Sequence, residues 1–163
     1  MKITAQEEYG MRLLLRIAIH PHKEGITITQ LSKKEGLSPH YVAKICRHLR
    51  LAGFIRSTRG KEGGYLLALP PEQISLSEVL MTLGGRLFTP EFCHSHAGLL
   101  KNCSHSCLCE IKPIWQMVQQ AVDEVLNRFT LKDLMIAAAD NNQQTTTFTK
   151  IRDSKLIPRV VTD

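Results

Sequence analysis

Cys93, Cys103 and Cys109 stand in the spacing C-x9-C-x5-C on a polar stretch, and Cys107 falls between the last two. Thiolates are soft ligands suited to zinc or to an iron-sulfur cluster, so these residues are the candidates for a metal or cluster site. Cys107 is the alternative ligand. It could equally complete an all-cysteine site, join another thiol on oxidation, or stay free. His94, His96 and His105 lie in the same stretch, where mixed Cys and His ligation would suit Zn2+ or a histidine-ligated cluster, although histidines in polar loops are more often plain surface residues. A second group of chemistry-bearing residues precedes the cysteines. His40, Tyr41, Lys44 and Arg47, followed by Arg59 and Lys61, have the donors that read base edges and phosphates in double-stranded DNA.

Whether the thiols are ligands or disulfides depends on where the chain resides. The chain has 163 residues, of which 43% are hydrophobic, enough for one domain with a core plus an accessory element. No apolar run approaches the roughly 18 residues of a membrane span, and Arg12 and Arg16 interrupt Met11 to Ile19 where a signal peptide would be apolar. The expectation is a cytoplasmic protein with no membrane partner, in which cysteines stay reduced and act as ligands or redox sensors. Residues 1–70 carry twelve Lys or Arg against five Asp or Glu, whereas the remainder has nine against ten. A polyanionic partner belongs on the first part.

The elements that must position these residues follow from periodicity. Glu7 to Ile19 has the apolar spacing of a largely buried helix, ended by His20-Pro21. Thr27 to Ser32 opens a second, short helix that Gly36 breaks. Ser38 then caps a third helix with Pro39 at its first position. In that third helix Val42, Ile45, Cys46 and Leu49 form one core stripe, which makes Cys46 a small buried hydrophobe and not a ligand. His40, Lys44, Arg47 and His48 project elsewhere. Short helix, glycine turn and basic helix make the helix-turn-helix plan.

Phe54 to Thr58 and Tyr65 to Leu69 are β-prone runs joined by the glycine-rich loop Arg59 to Gly64, a wing whose Arg59 and Lys61 could meet phosphates or a minor groove. Ser38 could bind phosphate through its backbone amide at the helix start. Ile74 to Leu83 is helical, with Ser75 or Ser77 as its cap and Gly84-Gly85 as its stop. Pro113 to Phe129 is the longest helical pattern. Its apolar face, Ile114, Val118, Ala121, Val122, Val125 and Leu126, suggests a partner helix from a second subunit.

These features together resemble the Rrf-two family of bacterial winged-helix transcription regulators, whose IscR-like and NsrR-like members sense through iron-sulfur clusters. The resemblance runs from Met1-Lys2-Ile3-Thr4 and Tyr9, through Leu37-Ser38 and Leu49 to Gly53, to the wing Arg59 to Leu67. It continues to Cys109, six residues before Trp115, and spans roughly residues 1–138. It implies a homodimer on a near-palindromic DNA operator and a [2Fe-2S] or [4Fe-4S] cluster held by Cys93, Cys103 and Cys109. The family separates its first two cysteines by fewer residues, so His94 to Asn102 reads as an insertion. In the nitric-oxide sensors a carboxylate at the position of Glu8 reaches the cluster from the other subunit, which implies Glu8 as fourth ligand. IscR-like members use a histidine three residues after the third cysteine, and Lys112, normally protonated, stands there instead. Without the resemblance, Glu8 is a solvated acid favoured by the helix dipole.

The fold expected is mostly α with a small β-hairpin wing, a winged helix-turn-helix plus a long dimerisation helix. Residues 1–83 form the DNA-binding domain, 84–111 the cysteine-rich loop, 112–139 the dimerisation helix and a final helix, and 140–163 a polar, flexible tail. The function expected is a redox-, nitric-oxide- or iron-responsive repressor, with a zinc or thiol-disulfide switch as the alternative. An enzyme is the weakest reading, because no C-x-x-C in a thioredoxin-like setting, nucleotide loop or nucleophile-base pattern is present.

Overall fold

The structure, a computed structural model, describes residues 3–20, 25–58, 63–86, 88, 92, 99, 109–139 and 153. Six α-helices and one two-stranded antiparallel sheet are formed by the described residues. The helices are α1 (Ala5–Ala18), α2 (Ile28–Glu35), α3 (Pro39–Leu51), α4 (Leu76–Gly84), α5 (Lys112–Leu126) and α6 (Leu131–Ala139), and the strands are β1 (Ile55–Ser57) and β2 (Tyr65–Leu67). No described helix is long and apolar enough to cross a membrane.

Local chemistry explains where the first three helices begin. Thr4 and Thr27 each accept from the backbone N–H three residues on, and Glu7 and Gln30 return the bond to the cap N–H, two full capping boxes. Ser38 caps α3 by accepting from the Tyr41 N–H at 3.3 Å, with Pro39 following in the first turn. Such caps contribute about 1 kcal/mol each. Gly36 ends α2 at φ +66, a left-handed position where a side chain would be strained.

The core forms where these helices meet. Leu13, Leu14 and Ile17 of α1, Leu31 of α2, the α3 stripe Val42, Ile45, Cys46 and Leu49, and Val79 and Leu83 of α4 are buried in one cluster. Full burial of each larger aliphatic side chain contributes roughly 1.5–3 kcal/mol before chain entropy is charged. Gly10 lets α1 approach α4, since a Cβ there would overlap the Leu83 side chain. Leu131 at the start of α6 joins the same cluster, so the last helix returns to the first.

The wing strands pair Ile55 with Leu67, Arg56 with Leu66 and Ser57 with Tyr65. Ile26 adds a bridge to Tyr65 through reciprocal bonds of 3.0 and 2.9 Å, fastening the wing to the segment before α2. The wing tip, with Arg59 and Lys61, lies outside the described residues.

Two expectations about helix ends differ from the structure. Ser75 occupies the N-cap position of α4, but its hydroxyl makes no capping bond, and the buried oxygen has no hydrogen-bond partner among the described residues. Backbone pairing holds this end instead, through the Ser75–Thr130 bridge and the bond from Leu76 N–H to Phe129 O at 3.0 Å. The long helix stops at Leu126 rather than Phe129 because the same pairing takes Phe129 and Thr130. Asp133 then accepts from the Thr130 N–H at 2.8 Å and begins α6.

Candidate nucleic-acid interface and thiol site

The α2–turn–α3 unit places the expected DNA-reading residues on one side of the molecule. His40, Lys44 and Arg47, at i, i+4 and i+7 along α3, are exposed, and Ser38 at its start is exposed as well. The opposite stripe of α3 is sealed in the core. Tyr41 is half-buried, its ring edge-on to Tyr9 of α1 with centroids 6.0 Å apart. It is therefore a strut between α1 and the reading helix as well as a side chain at its edge.

Sequence reasoning missed the group that ties this unit to α1. Glu35, at the end of α2, has a side chain only 3% exposed, and both its oxygens are taken by α1. Arg12 donates to Oε2 through Nε at 3.0 Å and Arg16 to Oε1 at 2.7 Å. Arg12 also lies 5.7 Å from the centroid of the Tyr9 ring. An unbroken line of contacts thus runs from Glu35 through Arg12 and Tyr9 to Tyr41. The signal available in the sequence was that Glu35 is the lone carboxylate between positions 25 and 61, in a stretch otherwise basic. Lys33, Lys34, Arg50 and Arg56 are exposed and extend the positive surface.

Cys46 is fully buried, and burial pushes its thiol up to about 12. It packs as a hydrophobe and is not available as a ligand at neutral pH.

At the thiol site the structure describes Cys109 and Glu8, while Cys93, Cys103 and Cys107 lie outside the described residues. Cys109 is half-buried, and its Sγ accepts the Lys112 N–H at 3.3 Å in the first turn of α5. A sulfur that accepts the first backbone N–H of a helix fits the donor set of a thiolate-bound metal or cluster, whose sulfurs commonly accept N–H bonds. Glu8 is exposed on α1, an oxygen donor open to a second molecule. Among the described residues alone, no three His, Cys, Asp or Glu side chains are gathered around one point.

On α5, Gln119 is buried, whereas Ile114, Val118 and Val125 are 56%, 40% and 51% exposed. Of the apolar face expected from the sequence, Ile114, Val118, Ala121 and Val125 are exposed, whereas Val122 and Leu126 are half-buried towards α4.

Residues 3–137 match the Rrf2 family, described as an iron-dependent transcriptional regulator. The chain is 36% identical over 135 residues to the protein named rrf2 of Nitratidesulfovibrio vulgaris, covering 83% of this chain and 87% of that relative. Among solved structures it is similar to T. potens IscR, with a TM-score of 0.67 and 25% identity over 87% of this chain and 91% of that one. It is also similar to the oxidized form of Staphylococcus aureus CymR, with a TM-score of 0.63 and 30% identity over 83% and 96%.

Proposed function

The chain belongs to the Rrf2 family of transcriptional regulators, and from that premise we propose that it is a homodimeric repressor whose affinity for its operator follows the state of an iron-sulfur cluster at the cysteine loop. It is a DNA-binding regulator with a winged helix, not an enzyme. The observation that carries the sensing reading is the placement of Cys109, with its sulfur bonded to the first turn of the helix whose apolar side is open.

Cys93, Cys103 and Cys109 would hold the cluster, with Glu8 of a second subunit as the oxygen donor and Cys107 as the replacement thiol. When bound, the cluster would supply a centre sensitive to oxygen, nitric oxide and iron supply. The protein's own residues do the rest. Ile114, Val118 and Val125 of α5 would pack on the same helix of the partner, because an exposed apolar stripe of this length is stabilised by burial. Glu8 sits one residue before Tyr9, so a pull on Glu8 acts on α1, whose Tyr9 braces Tyr41. His40, Lys44 and Arg47 then meet paired half-sites at an angle set by α1 and α5. Ser38, Arg59 and Lys61 would contact phosphates.

The experiment is iron and sulfide analysis with a visible spectrum of protein purified without oxygen. Iron, sulfide and absorption that bleaches on exposure to nitric oxide or air are expected, and colourless, iron-free protein with Cys93, Cys103 and Cys109 intact would overturn the ligand assignment.

A thiol-disulfide switch is the second reading, favoured by Cys107 two residues from Cys109 and by the likeness to a regulator solved in an oxidized form. It predicts colourless protein and a reversible bond from Cys103 to Cys107 or Cys109, read by mass spectrometry under defined thiol potential.

A further inference from the structure

The stretch carrying the cysteines is fastened at both ends to α5. At its start the Phe88 N–H donates to Gln119 Oε1 at 3.1 Å, and the Phe88 ring is buried with its centroid 5.3 Å from that of Phe92. Gln119 Nε2 donates to Asp123 Oδ1 at 2.8 Å, and Asp123 Oδ2 lies 3.7 Å from Arg86 Nη2. At its end Cys109 Sγ accepts the Lys112 N–H. Lys112, Gln116, Gln119 and Asp123 follow at i, i+4, i+7 and i+11, one helix face, and with Arg86 and Phe88 they line a groove of about 540 Å³. The two anchors are seven residues apart, about 10 Å along the axis.

Gln119 is buried at 8% exposure in a helix whose Ile114, Val118, Ala121 and Val125 are exposed. Burying an amide side chain is unfavourable unless both its ends are bonded, and here both are. Helix packing alone would be served by leucine. The group that requires an oxygen at this point is the Phe88 N–H, which has left α4 and has yet to enter another element.

We propose that Gln119 is a positioning residue of the sensing site. It fixes the start of the cysteine stretch to the helix that Cys109 already joins, so the separation of the two ends is set by α5. This rests on the reading of that stretch as the sensing segment. Fixing the ends lowers the entropy lost when the thiols converge on a metal or on one another. The apolar residues Ile114, Val118, Ala121 and Val125 repeat at the same spacing, offset by about 200° around the helix. One rigid helix therefore carries the thiol segment on one side and the open apolar stripe on the other.

The test uses full-length, reduced, metal-free protein and iodoacetamide, with labelling at each cysteine followed by peptide mass spectrometry. Gln119→Met keeps the length of the side chain and removes both hydrogen bonds. Loss of one buried bond favours opening by about fivefold, so half-buried Cys109 should label about fivefold faster while Cys46 stays protected. Gln119→Glu combined with Asp123→Asn exchanges donor and acceptor at constant charge, and should return labelling to within about twofold of wild type. Gln120→Met, at an exposed neighbour bonded to Glu124, should change nothing. Unchanged labelling in Gln119→Met, an equal rise in Gln120→Met, an equal rise at Cys46, or failure of the exchange variant to restore protection would each overturn the proposal. Since the protein is metal-free throughout, iron analysis decides the cluster reading separately.

Discussion

Replacing Glu35 tests whether the joint between α1 and α2 is held as the geometry indicates. The carboxylate is 3% exposed, whereas the Arg12 and Arg16 side chains are 46% and 39% exposed. A charge-assisted hydrogen bond contributes about 1.5–3 kcal/mol, and the open guanidinium sides are screened by water, so the lower figure applies to each. Counted once for each arginine, although Arg12 reaches Oε2 through both Nε and Nη2, this gives about 3 kcal/mol for Glu35→Ala. Glu35→Gln retains one neutral acceptor and should lose about 2 kcal/mol. At roughly 3 °C per kcal/mol for a chain of this size, Tm falls by about 9 °C and 6 °C respectively. The assay is thermal unfolding by circular dichroism with a urea midpoint as a check. An Arg16→Ala cycle with Glu35→Gln should give a coupling of at least about 1 kcal/mol. Because Arg12 leads through Tyr9 to Tyr41, operator affinity should fall more than affinity for random DNA. Glu35→Ala melting within about 2 °C of wild type would show that the two arginines do not hold the α1–α2 joint through this carboxylate.

Further expected outcomes concern the thiols and the open helix face. Cys46, raised from 9.0 to about 12, is protonated in the folded state at pH values where the unfolded chain ionises. Its contribution is intact below pH 9 and falls as pH rises towards 12, by at most about 1.4 kcal/mol per pH unit, and Cys46→Ala should flatten the alkaline limb of a urea-midpoint profile. Val118→Glu places a charge on the exposed stripe of α5, and sedimentation should show monomer with an unchanged circular dichroism spectrum; a dimer of wild-type affinity would contradict the α5 seam. Glu8→Ala should shorten the lifetime of the visible absorption in air by about tenfold while the protein stays dimeric, and an unchanged lifetime would transfer the ligand role to Cys107 or a histidine. Arg47→Ala should weaken operator binding by about 1–3 kcal/mol in an anisotropy titration, with little change in Tm.

The parts of the fold written in local chemistry were legible from the sequence. Thr27 and Ser38 announce helix starts because a cap needs only a side-chain oxygen beside free amides, and Val42, Ile45, Cys46 and Leu49 announce a buried stripe through their spacing alone. The β-prone runs around the glycine loop gave the wing for the same reason. Groups whose partners are distant in the chain were not legible. The Ile26–Tyr65 bridge involves one residue per side and leaves no period to detect. Glu35 reads as a surface acid at a helix end until α1 supplies two guanidinium groups from 19 and 23 residues away. Gln119 is hidden in the sequence because apolar residues dominate the helical period, yet the fold buries this polar side chain where an amide 31 residues earlier needs an acceptor. Ser75 shows the converse. Residue type and position predict a cap, and the backbone bridge to Thr130 holds that end without one.

The claim that the thiol segment governs DNA reading is tested most directly by one titration. Operator DNA, obtained by selecting bound sequences from a random pool, is titrated by fluorescence anisotropy with oxygen-free protein before and after nitric oxide bleaches its visible absorption. Kd should change by at least about tenfold, equivalent to about 1.4 kcal/mol of coupling between the two sites. The same change should be absent from a variant in which Cys93, Cys103 and Cys109 are serine. Identical affinity before and after treatment, in protein that contains iron and binds its operator, would contradict it.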